Sequence, residues 1–398
     1  MSTLPNPAPA RYQSLRRISN PLPNRVSLTA LDNYDPATVD EALQRLLAPL
    51  GGMNNFIKPG QKVLIKPNML SGKDPAKAVT THPQVVRAVI RQALNAGGRV
   101  SVGDSPGIGS PAVVARKTGI FEVIEETGAA FAPFSESVII RPKGTTLHQL
   151  EVAKDILDAD VIINLPKLKT HQMMGLTCAV KNMFGALIGM RKPGMHLQAG
   201  ADKNLFARML LEICEALPPT LNIVDAVIGM EGEGPGSGDP VKIGALLAGT
   251  SAQAVDTVAT ALVKMRPEQV FTQQQALASG RPLARLAELE LVGTPLIKLQ
   301  IDHFRAAKMT DVNFGIPGYF GRRLKHLLTA HPQVDHQRCV RCHACVKHCP
   351  PQAMAIEKNH LNINYNLCIR CFCCQELCPH AALTTHQGLL LRLSSMLR

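Results

Sequence analysis

From Arg25 onward the apolar residues of this chain switch between a period of two and a period near 3.6, and the switching predicts the elements. Arg25-Val-Ser-Leu-Thr-Ala-Leu alternates as a half-buried strand does. Asp35-Pro36 then supplies an N-cap and a first-turn proline for a helix running through Leu47 toward Gly51. Lys62-Val-Leu-Ile-Lys66 reads as the next strand. A second helix starts near Thr81-His82-Pro83, carries Val85, Val86, Val89, Ile90 and Ala93 at helical spacing, and stops at Gly97-Gly98 before the strand Arg99–Gly103. Short apolar runs at Val161–Leu165, Leu221–Val224 and Ile243–Ala248 have the length of buried strands, and Lys203–Ala216 and Ala252–Met265 read as helices. The alternation predicts an α/β fold: a largely parallel sheet with flanking helices.

Near the C-terminus cysteines set the pattern instead. Cys339-x2-Cys342-x2-Cys345-x3-Cys349-Pro350 recurs as Cys368-x2-Cys371-x2-Cys374-x3-Cys378-Pro379. This is the bacterial ferredoxin run for paired cubane iron–sulfur clusters, in which the fourth cysteine of each run ligates the other cluster. The spacing predicts two [4Fe-4S] clusters, one on Cys339, Cys342, Cys345 and Cys378 and one on Cys349, Cys368, Cys371 and Cys374. Zinc sites and a disulfide framework are the competing chemistries, but zinc knuckles mix cysteine pairs with later His or Cys pairs, and disulfides need an exported chain. Cys373 breaks the x2 spacing and reads as a non-ligand, with a sensor or alternative-ligand role as the other reading. Cys178 and Cys214 stand alone in apolar surroundings as small core residues.

The expected organisation is therefore a flexible basic arm (1–24), an α/β body (25–298), a docking linker (299–330), a small α+β two-cluster ferredoxin-type domain (331–386) and a terminal amphipathic helix (387–398) packed on the body. The 398 residues and 45% hydrophobic content suffice for a large core outside the ferredoxin unit. The formal charge of +13 would fall to about +9 with two oxidised cubanes bound. A basic excess admits nucleic acid, an anionic membrane surface, an acidic protein or an anionic small substrate. The chain has no tryptophan and only 4 tyrosines, too few stacking platforms for a single-strand binder, so no nucleic-acid partner is expected. No signal-type apolar stretch and no run of about 18 apolar residues is visible, so no transmembrane segment and a cytoplasmic location are expected.

Ligands of open α/β sheets bind beyond the carboxyl ends of the strands. There this chain places Lys66-Pro-Asn68, Asp104-Ser-Pro-Gly107, Asn164–His171 and Asp225, groups that converge if the strands are neighbours. Lys167, Lys169 and His171, on a proline-bent loop, form the candidate catalytic set. Two lysines can hold a carboxylate or phosphate, and histidine titrates where proton transfer is useful. The alternative is a solvated basic loop. Lys181, Asn182, Lys192 and His196 add further donors. The glycine-rich segment Gly229–Gly238 carries neither a Walker nor a Rossmann pattern and reads as a turn or lid, with Glu231, Glu233 and Asp239 as an alternative oxygen set for a divalent cation. Eight of the 13 histidines lie between His326 and His386, where they either tune cluster potential or are ordinary surface residues.

Val63-Leu-Ile-Lys-Pro-Asn68, Thr81-His-Pro83, Gly103-Asp-Ser-Pro106, Asp160–His171, Gly175-Leu-Thr177, Lys181–Gly185, and Asp225 with Glu231-Gly232 together resemble the family called domain of unknown function 362, often fused to such a ferredoxin. The resemblance implies an iron–sulfur protein, an oxidoreductase or electron carrier without a defined substrate. The leading expectation is an oxidoreductase that relays single electrons through the clusters to an anionic metabolite held by the body, with a protein as electron donor or acceptor. A redox adaptor docking an acidic partner, and a non-redox enzyme with structural clusters, are the rivals.

Overall fold

The computed structural model describes residues 23–189, 191–308 and 329–387. Nearly all of the expected arm, most of the linker and the terminal amphipathic helix lie outside these residues. The strands of the body, in chain order, are β1 (Arg25–Ala30), β2 (Lys62–Pro67), β3 (Arg99–Val102), β4 (Ala130–Phe131), β5 (Ser137–Ile140), β6 (Leu150–Ala153), β7 (Val161–Leu165), β8 (Lys167–His171), β9 (Gly175–Thr177), β10 (Leu221–Glu231), β11 (Asp239–Gly249) and β12 (Glu290–Gly293). The central sheet has the order β12-β1-β11-β10-β7-β2-β3-β4. β10, β7, β2, β3 and β4 run parallel, and only β11, wedged between β10 and β1, is antiparallel to both neighbours. The fold is the expected α/β architecture with a largely parallel sheet.

Strand periodicity divides the core into two layers. Val63, Ile65, Val161, Ile163 and Leu165 point to one face and pack with Leu43, Leu46, Val86, Val89 and Ile90 from two helices, Pro36–Leu47 and Pro83–Asn95. The intervening Leu64 and Ile162 point to the other face and join Phe206, Leu210, Val255 and Val258. Each fully buried side chain of this size contributes roughly 1.5–3 kcal/mol, so a one-residue slip of β2 or β7 would forfeit both layers at once. The helices begin where the caps predict: Asp35 accepts from the Thr38 N–H, and the His82 ring accepts from the Gln84 N–H at 3.3 Å.

Two segments differ from expectation. The proline-bent loop expected between Asn164 and His171 is a break of one residue at Pro166 followed by strand β8. Proline cannot donate to the ladder, so pairing with β2 ends at Leu165, and the chain re-pairs with β10 and β9. All five residues of β8 are buried as a result. β10 likewise continues past Val224 to Glu231 and forms a long antiparallel pair with β11, which takes Gly229, the first glycine of Gly229–Gly238, into the sheet.

The C-terminal region is a small α+β unit with two antiparallel pairs, β13 (His331–Val334) with β16 (Leu383–His386), and β14 (Met354–Glu357) with β15 (His360–Ile363). Two one-turn helices, Ala344–Lys347 and Cys373–Leu377, lie within the two cysteine runs, each carrying the third cysteine and ending before the fourth.

Candidate functional site

The duplicated cysteine runs fold into duplicated loops. Arg341 and His343 adopt φ of 57° and 62°, and their counterparts Arg370 and Phe372 both adopt 57°, curling each run so that its sulfurs face inward. The fourth cysteine of each run is anchored alike: Cys349 Sγ accepts from the Ala353 N–H and Cys378 Sγ from the Ala382 N–H, both at 3.3 Å. One cavity is lined by Cys339, Cys342, Cys345 and Cys378, and a second by Cys349, Cys368, Cys371 and Cys374. Four convergent thiols in a shell of Ile, Leu, Val, Met and Pro side chains fit the chemistry of a cubane iron–sulfur group.

A larger cleft lies where this unit meets the body. Its cavity volume is ≈ 80 Å³, room for a compact molecule, and its walls include Asn68, Asp104, Lys169, His171, Lys181 and Lys192 from the body. Cys373, Glu376 and Leu377 close it from the ferredoxin side. The C-terminal ends of β2 and β8 and the loop after β3 supply the polar groups, as open parallel sheets do. The Lys66 ammonium, fully buried, lies 2.8 Å from Asp104 and donates to the Asn182 carbonyl at 2.6 Å. Gly185 permits this packing, because a Cβ there would sit 2.1 Å from an Asp104 oxygen.

Lys169 is held at the end of a chain of hydrogen-bonded amides, three of them buried and the last, Asn68, partly so. Asn222 accepts from Asn164, whose oxygen accepts from Asn182; Asn182 accepts from Asn68, and the Asn68 oxygen accepts from Lys169 Nζ at 3.1 Å. Lys169 also donates to the Val79 carbonyl at 2.6 Å. Burial pushes its ammonium down to about 7, against the attraction of Glu376. Lys192, whose tip is enclosed by the Ser105 carbonyl and hydroxyl and the Pro106 carbonyl, is likewise pushed down to about 7 by burial. Burial, reinforced by Lys181, holds His171 well below the ordinary imidazole range, so the ring is neutral. Its Nδ1 accepts from the N–H groups of Met173 and Met174, which puts the single ring hydrogen on Nε2. That Nε2 is buried with no hydrogen-bond partner among the described residues and lies 3.8 Å from a Glu376 oxygen.

The candidate set therefore divides. Lys169 and His171 line the cleft, and Lys167 does not. Lys167 Nζ donates to Asp225 at 2.9 Å and to the Tyr34 hydroxyl at 2.8 Å; Tyr34 donates to the other Asp225 oxygen and stacks on His82 at 3.6 Å. Burial raises the Asp225 carboxyl, but Lys167, the His82 N–H and the Tyr34 hydroxyl outweigh it and hold the group below the usual carboxylate range. The register shift between Asp225 and Met230, where β10 faces β8, separates this network from the cleft.

The glycine-rich segment docks the ferredoxin. Glu233 accepts from Gln375 Nε2 at 2.7 Å and pairs with Lys308 at 2.7 Å, while Glu231 and Asp239 both engage Arg305. Arg305 and Lys308 occupy these carboxylates, so the structure pairs them with cations of the chain itself. A Cβ on Gly236 would lie 2.6 Å from the Glu376 carbonyl and one on Gly107 2.9 Å from Leu377, so both glycines are contact surfaces. Sequence reading missed Glu376 and Cys373 as walls of the cleft; the extra cysteine beside Cys374 was the only signal.

No helix of the described residues is long and apolar enough to cross a membrane. Comparison with known proteins adds three findings. A 4Fe-4S dicluster domain matches residues 331–379, which makes this an iron–sulfur-binding region. A thylakoid-associated protein of Synechocystis sp. is 36% identical over 311 residues, covering 76% of this chain and 94% of that protein. The lactate racemase apoprotein from Thermoanaerobacterium thermosaccharolyticum is structurally similar at a TM-score of 0.35 and 12% identity, over 57% of this chain and 54% of that one. Residues 63–261 match the domain of unknown function DUF362, half of the chain, and with the relative's near full-length match they establish that the chain belongs to the DUF362 family.

Proposed function

We propose that this protein is a cytoplasmic iron–sulfur oxidoreductase that exchanges single electrons with a compact anionic metabolite bound in the cleft between body and ferredoxin unit. The observation that carries the reading is shared construction: the cleft that gathers Lys169, Lys181, Lys192 and the unpaired His171 Nε2 is walled by Cys373, which sits between Cys371 and Cys374. One-electron exchange is the chemistry a [4Fe-4S] group supplies when bound. Cys339, Cys342, Cys345 and Cys378 would hold one such group, and Cys349, Cys368, Cys371 and Cys374 a second. The chain's own residues bind and orient. Lys181, whose ammonium faces the Phe184 ring, anchors the anion, and His171 donates its Nε2 hydrogen to an acceptor oxygen of the ligand. Lys169 holds a proton that can leave near neutral pH.

The test is anaerobic reoxidation of chemically reduced full-length protein by fractionated small metabolites, followed by cluster absorbance. Selective reoxidation by one fraction, lost in Lys169→Gln with the cluster spectrum retained, is expected. Equal reoxidation of wild type and variant by every fraction would remove the cleft from the function.

A further inference from the structure

The two cysteine loops face different surroundings. Cys371 and Cys373 belong to the main apolar core of the body, Ile369 packs against it, and Arg370 and Phe372 are buried. The other loop turns outward: Val340 is 53% exposed, and Cys342, Arg341 and His343 are exposed with it. Arg338 and Lys347, at either end of this loop, are also exposed, and Asp335, which pairs with Arg338, is the acid nearest to it in sequence. An exposed apolar residue thus sits among exposed Arg338, Arg341 and Lys347 and close in sequence to Cys342, the one cluster cysteine that is exposed.

We propose that the Val340 face, ringed by Arg338, Arg341, His343 and Lys347, is the docking surface for an acidic one-electron carrier protein. The proposal rests on the reading of the chain as an electron relay and assigns its outer port. Three observations select this occupant. The exposed Cys342 shortens the path to a partner, whereas residues 370–374 of the inner loop are buried. A small apolar centre with a charged rim suits the transient, sub-1,200 Å² interfaces typical of redox encounters. The formal charge of +13 keeps the whole molecule attractive to an acidic protein after cluster charges of about −2 each are subtracted.

The experiment uses holo full-length protein and, as probe, a purified acidic plant-type [2Fe-2S] ferredoxin, with affinity measured by calorimetry. Affinity is expected to fall about tenfold or more between roughly 50 and 300 mM salt. Arg341→Glu with Lys347→Glu is expected to weaken binding by a similar factor while cluster absorbance is retained. Arg341 has a left-handed backbone beside a ligand, so Lys347→Glu alone, on the following helix, and Val340→Ser serve as independent variants. Binding that ignores salt and all three changes overturns the proposal. So does the absence of carrier binding together with charge-dependent binding to phosphatidylserine vesicles, which would make this a membrane-facing patch. Selective metabolite reoxidation does not involve this face, so its outcome is separable from the affinity result.

Discussion

At the scale of single residues, alternate positions of one strand do different work. Lys169 and Lys167 are both fully buried, yet Lys169 has only neutral acceptors and Lys167 has Asp225. Because burial lowers the Lys169 pKa from 10.5 to about 7, its charge is present below that value and lost as pH rises through it. Affinity for an anionic metabolite should therefore decline from pH 6 to pH 8, and Lys169→Gln should bind about 10- to 100-fold more weakly at pH 6 with a flatter pH profile. Titration calorimetry with the active fraction checks both. Lys167→Ala should instead leave a buried carboxylate unpaired and cost roughly 3–5 kcal/mol of stability, read as a lowered denaturation midpoint. A Lys167→Ala protein of wild-type stability would contradict the ion-pair role. The sequence marked Lys167, Lys169 and His171 as one group because they share a proline-bent segment that follows an apolar strand. The β8–β10 register and the positions of Asp225 and Tyr34 then divided them, and no local signal carries that information.

At the scale of elements, the ferredoxin helix Cys373–Leu377 is the least local feature of the site. It reaches the body through backbone contact at Gly236, an apolar contact at Gly107 and the Glu233–Gln375 hydrogen bond. Gly236→Val should force the helix off the body. Hydrogen exchange should then rise in residues 373–377 and in the glycine-rich loop while the central sheet stays protected. Unchanged exchange in the helix would show that the contact is dispensable. The sheet strands and long helices were legible from periodicity, because a period of two or 3.6 is dictated by which side chains must leave water. Strand β8 was not, because a single proline reads locally as a turn, and only a free ladder edge on β10 makes a strand possible after it.

At the scale of the whole molecule, two kinds of cohesion coexist. The body rests on two apolar layers, whereas the small core of the ferredoxin unit includes Cys345, Cys374 and Cys378 themselves. Below about 70 residues such a unit depends on its metal. Chelating the iron should thus unfold residues 331–387 while the layer containing Val86, Val89 and Ile163 keeps its exchange protection. A single cooperative loss of both parts would refute this division. The sequence by itself determined the α/β class, the helix caps and the cysteine pattern, because periodicity, capping and ligand spacing are all short-range constraints on a chain. Only the tertiary structure decided that Lys169 and His171 open onto a cleft walled by Cys373 while Lys167 turns away to Asp225. Those relations join residues up to some two hundred positions apart, and they depend on strand register and on the docking of two units, which no local pattern encodes.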